Sequence, residues 1–172
     1  MNSPAYIHNE RVTTLADIDI NALQSLLARY GLHINMIEPG QPIPGSYWGE
    51  PEAGIIGDQL YVYMATPVHS ILHESCHYVC MDNYRRAQLH TDTGGDYLEE
   101  NAVCYLQILL ADHIPAYSKE TMFSDMNLWG YSFRLGCAKA WFEQDAEDAL
   151  TWLLEHKLIN ETQQPTWVLR QH

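Results

Sequence analysis

His73-Glu74-Ser75-Cys76-His77 holds the residue types and the spacing in this chain that could do chemistry: it reads H-E-x-x-H. Residues four apart share one face of a helix, so two imidazoles at that spacing can grip a single metal ion. The glutamate beside the first histidine then projects near the coordination position left for water. Zinc in such a site lowers the pKa of a water from about 15.7 to about 7, and a neighbouring carboxylate takes the proton. The chain is rich in histidine, with 9 in 172 residues. Chance placement would still give only roughly 0.03 such matches per chain, for a motif that needs structural context to be believed.

That context is a helix. Thr66-Pro67 precedes the motif, and Thr suits an N-cap while Pro suits the first helical position. No Gly or Pro interrupts residues 68–80, and Val68, Ile71, Leu72, Cys76 and Val79 recur at steps of three and four. The spacing predicts a partly buried helix carrying both histidines.

The segment resembles the zinc site of the zincin metallopeptidases. A catalytic zinc usually takes three protein ligands and one water, and the zincin groups differ in the third. The metzincin pattern fails, because the positions for its Gly and His hold Cys80 and Asn83. Asp92 and Asp96 are in range for an aspzincin ligand, but their surroundings match that group poorly. A gluzincin ligand is a Glu on the following helix, and after Gly94-Gly95 a new helical pattern opens with Asp96-Tyr97-Leu98-Glu99-Glu100-Asn101-Ala102. Glu99 shares a face with Ala102, Val103, Leu106 and Leu110, whereas Glu100 shares one with Cys104, Gln107 and Ala111. The first face is the more apolar and is expected to look inward, so Glu99 is the candidate third ligand, with Glu100 and Asp96 as alternatives. Glu99 to Ala102 also looks like the E-x-x-A element of compact gluzincins of the ImmA/IrrE-like kind. Where many gluzincins place an Asp that orients a zinc-binding His, this chain has Val103, which leaves Asn101, Asp96 and Asp112 as candidate partners. Cys80 and His69 lie on the stripe of His73 and His77, but a straight helix spreads such ligands over about 10 Å, too far for one ion. His90 falls in the connecting loop.

Several elements are expected around the motif. Residues 14–30 read as a helix, 32–37 as a strand, 38–52 as a Pro- and Gly-rich loop containing Tyr47-Trp48-Gly49, and 53–64 as a strand or hairpin. Residues 54–64 are the candidate cleft edge to which extended substrate could add as a strand. After the helix at 96–112, Pro115 breaks the pattern. Further helices are expected at 118–126, 129–142 and 145–158, with Gly130 and Gly136 weakening the second. The tail around Trp167-Val168-Leu169 reads as a last strand or a docking segment.

Size and patterning fit one α+β domain over residues 1–172, and the resemblance implies a zincin-like fold, a small twisted sheet against several helices. The net charge of −13 argues against nucleic acid and anionic membranes as partners. No apolar run approaches 18 residues. Met1-Asn2-Ser3-Pro4-Ala5-Tyr6 has no basic stretch leading into an apolar one, so a cytoplasmic protein with four free thiols (Cys76, Cys80, Cys104 and Cys137) is expected.

The resemblance implies a zinc-dependent metallopeptidase acting on a peptide or protein substrate. Its implied metal ligands are His73, His77 and Glu99, with Glu74 as general base. Tyr131, His113, His90 and Arg134 are eligible to stabilise the oxyanion. The alternative reading is a zinc-binding peptide- or protein-interaction module on the same scaffold, without catalysis.

Overall fold

The computed structural model describes residues 11–46 and 52–172. Met1 to Tyr6 and Tyr47-Trp48-Gly49 lie outside the described residues. Among the described residues the architecture is α+β: seven α-helices and a three-stranded mixed sheet.

The chain enters through a 3-10 turn, Leu15–Asp17, rather than the helix expected from residue 14. Asp17 bonds back to the Thr14 N–H at 2.9 Å and closes the turn, and Ile18 is extended. Asp19 then caps α1 (Ile20–Ala28) by accepting from the N–H groups of Asn21 and Ala22. Strand β1 (His33–Met36) runs parallel to β3 (Gln59–Val62), and β2 (Gly54–Ile56) is antiparallel to β3, in the order β1-β3-β2. Within the span 53–64, β2 and β3 therefore form a hairpin.

The crossing of two backbone segments fixes one end of this sheet. A Cβ on Gly54 would stand 2.0 Å from the Pro44 carbonyl oxygen, and one on Gly45 would stand 2.5 Å from that of Ile55. Only glycine lets these segments approach so closely. Gly54→Ala is expected to cost about 1–3 kcal/mol through this overlap, read as a lower Tm in thermal unfolding. An unchanged Tm would contradict the crossing.

Helix α2 (Val68–Cys80) occupies the predicted span. Pro67 takes the N-cap position, and the Thr66 hydroxyl accepts instead from the Tyr63 N–H at 2.8 Å. Every residue of α2 is buried except His73 and Glu74, so the helix runs through the core and opens to solvent only at the motif. After the short α3 (Asn83–Ala87), helix α4 (Tyr97–Ala111) packs along α2 and is buried from Ala102 to its end. Asp96 caps α4 by accepting from the Glu99 N–H at 2.9 Å.

Helix α5 (Lys119–Trp129) stops at Gly130, which has φ +99°, and α6 (Ala138–Gln144) starts only after Gly136, at φ +90°. The continuous helix expected over 129–142 is thus split by its two glycines, and the intervening segment carries Tyr131. Helix α7 (Glu147–Glu155) packs on α4. The tail is a docking segment. Trp167 lies against Tyr30 with Arg29 over its ring, and the Arg170 N–H bonds the Val79 carbonyl at 3.0 Å. The four cysteines are unpaired, and no helix among the described residues is long and apolar enough to cross a membrane.

Candidate metal centre

Helices α2 and α4 bring three side chains together where α2 meets solvent. The Nε2 atoms of His73 and His77 are 3.1 Å apart. His73 Nε2 lies 3.1 Å from Glu100 Oε1, and His77 Nε2 lies 3.1 Å from Glu100 Oε2. Two ligands of a tetrahedral ion with bonds of 2.0–2.1 Å stand about 3.3 Å apart. The separation of the nitrogens is close to that value.

Hydrogen bonding shows what these atoms can accept. Gln107 is fully buried on α4. Its Nε2 donates to the His69 carbonyl at 3.2 Å, which turns its Oε1 toward His73 Nδ1 at 2.7 Å. An amide oxygen only accepts, so His73 Nδ1 carries the proton. In neutral His73 the Nε2 lone pair is then bare and aimed at the carboxylate and at His77. Lone pairs facing one another at 3.1 Å call for a proton or a cation among them. Burial works to lower the His73 pKa, but Tyr131, Cys104 and Glu100 outweigh it and hold it well above the usual histidine range. Burial works to raise Glu100, yet its bonds to His73 and His77 hold it well below the usual carboxylate range. The field at this point favours positive charge, and the donor set of two imidazoles and one carboxylate fits Zn²⁺.

Gln107 thus supplies the orienting contact to His73, in place of the expected Asn101, Asp96 or Asp112. Gln107→Leu is expected to weaken zinc binding by about 10–100-fold, measured by competition with a chromogenic chelator. Unchanged affinity would mean that His73 takes its orientation from another contact.

The carboxylate at the pair is Glu100, not Glu99. Glu99 is 3% exposed and turned away. Arg85 grips it with both terminal nitrogens at 2.8 Å, and Arg170 of the tail approaches at 3.4 Å. Both of its oxygens are held by guanidinium groups, and Glu99 is not among the donors that converge with the histidines. Asp96 is committed to capping α4. Cys80 is buried and away from the cleft.

A cleft of about 410 Å³ opens over the three donors, and Glu74 lines it with His69, Trp129 and Tyr131. Burial pushes the Glu74 carboxyl above its usual range, against the pull of His73 and His77. The Tyr131 hydroxyl lies 3.1 Å from His69 Nδ1, and its ring stands edge-on to His73 at 5.8 Å. Burial, with His73 second, pushes His69 down to about 3, so this ring is neutral near pH 7. Of the four residues eligible for the oxyanion, only Tyr131 lines the cleft. His113 packs against Trp167, Arg134 is bonded to Asp145, and the exposed His90 sits beside Thr91.

The β2 edge differs from its expected role. The Ile55 N–H donates to the Gly45 carbonyl and its own carbonyl accepts from the Thr91 N–H, both at 3.1 Å. The backbone groups of Ile55 that an added strand would need are therefore taken within the chain.

Compared with known protein families, curated proteins and solved structures, the chain matches none.

Proposed function

We propose that this chain is a zinc-dependent hydrolase of peptide bonds, with His73, His77 and Glu100 as the metal ligands and Glu74 as general base. The observation that carries the reading is the set of three donors spaced at 3.1 Å on the floor of an open cleft. Zinc, when bound, supplies Lewis acidity that polarises a carbonyl and acidifies water.

The chain's own residues do the rest. Gln107 keeps the His73 proton on Nδ1 and its Nε2 free for the metal. Glu74, on the next residue of α2, takes the proton of the attacking water at its carboxylate and delivers it to the departing amine nitrogen. Tyr131 offers the cleft an O–H donor for the oxygen that becomes negative. Among the described residues, four protein donors closing around one ion are not found: the only such group holds three. Three protein ligands would leave zinc a fourth position for water, as a catalytic site requires.

Metal removal tests the reading. Dialysis against 1,10-phenanthroline is expected to abolish cleavage of an unbiased peptide library, and one equivalent of zinc per chain is expected to restore it. A chain that binds one zinc yet cleaves nothing in the library would instead be an interaction module.

A further inference from the structure

Ligation and base catalysis use only part of what lines the cleft. Among the described residues, four carboxylates border it, those of Glu52, Glu74, Asp92 and Glu100, and neither Lys nor Arg does. A dication balances two of the four negative charges and leaves two. Glu100 faces the histidines, and Asp92 Oδ1 accepts from the Gly94 N–H at 2.9 Å. Glu52 is half-buried, and among the described residues no hydrogen bond or ion pair holds its carboxylate.

Its placement is nevertheless fixed. The adjoining Ala53 N–H donates to Ser70 Oγ at 3.0 Å. Ser70 stands one helical turn before Glu74 on the same face of α2, so this bond pins the segment carrying Glu52 beside the proposed base. Glu52 is near enough to be attracted by His73 and to repel Glu74. Trp129, 37% exposed, adds an aromatic surface to the same cleft. A carboxylate with no partner among the described residues and a partly exposed indole together are the chemistry that receives an ammonium or a guanidinium.

We infer that the cleft takes a peptide with a Lys or Arg side chain beside the bond to be cleaved, and that Glu52 is the residue that selects it. The inference rests on the peptidase reading for the position of the bond, though not for the charge of the ligand. Glu52 accepts from the cationic head while the stem of that side chain lies along Trp129.

Three internally quenched peptide pools, identical except for Lys, Gln or Glu at the central position, test this with the zinc-loaded full chain. The expected kcat/KM is about tenfold higher for Lys than for Gln, and lowest for Glu. Glu52→Gln is expected to reduce the Lys-to-Gln ratio at least fivefold, and Glu52→Asp to retain most of it. The same pools are titrated against zinc-loaded Glu74→Gln by fluorescence anisotropy, where Lys is again expected to bind tightest and to weaken as salt rises. Equal treatment of Lys and Gln, no binding of any pool, or a ratio untouched by Glu52→Gln would overturn the inference. Hydrolysis without charge preference would leave the peptidase standing and remove the selectivity. Charge-ordered binding without hydrolysis would do the reverse.

Discussion

Glu74→Gln is expected to lower peptide hydrolysis by about 10²–10⁴-fold, the contribution typical of a positioned acid or base, while the chain keeps one zinc. The amide has the shape of the carboxylate but cannot take a proton from water. Glu74 is one of the two α2 residues not buried, and no hydrogen bond to another described side chain gives it a structural task. The substitution removes a partly buried carboxyl and leaves none of its neighbours unpaired, so stability is expected to change little. Full activity in this variant, with zinc retained, would show that the proton goes elsewhere.

Replacing each of the adjacent glutamates of α4 separates ligation from architecture. Glu100→Ala removes the oxygens that face both histidines, and is expected to weaken zinc binding by more than about 100-fold, beyond what orienting contacts alone contribute. Its side chain is 47% exposed, so folding should be little affected. Glu99→Ala does the opposite. It leaves Arg85 and Arg170 facing one another without their anion. Breaking a buried ion pair from one side costs about 3–5 kcal/mol, and the low end applies because the Arg85 side chain is 29% exposed. Zinc binding should persist in the folded fraction. The two effects are read by chelator competition and by urea unfolding, and an exchange of the two outcomes would return the ligand role to Glu99.

The choice between those glutamates shows how far the sequence could be read. Hydrophobic spacing placed Glu99 on the buried face of α4, and it is buried. Being buried did not bring Glu99 to the histidines: Glu100 faces them instead. The histidines project where α2 emerges from the core, so the carboxylate that meets them sits at the solvent border of α4. The interior carboxylate needed its own cations, and these come from α3 and from the tail, 14 and 71 positions away in sequence. No local spacing announces such a pairing. Gln107 was hidden for the same reason, since a neutral amide at an apolar helix position carries no motif. By contrast, the span of α2 was legible because one unbroken apolar period fixes it, and the hairpin because its alternation does. The split at Gly130 and Gly136 is half visible in the sequence: the two glycines weaken the helix that the aromatic residues around them favour. Strand addition at β2 failed as an expectation because the partners of Ile55, Gly45 and Thr91, come from two different loops.

The central claim is that His73, His77 and Glu100 hold one divalent cation, and an anomalous-difference map collected across the zinc edge from zinc-grown crystals tests it most directly. The expected result is one strong peak about 2.0–2.1 Å from Nε2 of both histidines and within about 2.2 Å of a Glu100 oxygen. Absence of a peak at that point, or a peak bound through Glu99 instead, would contradict the account.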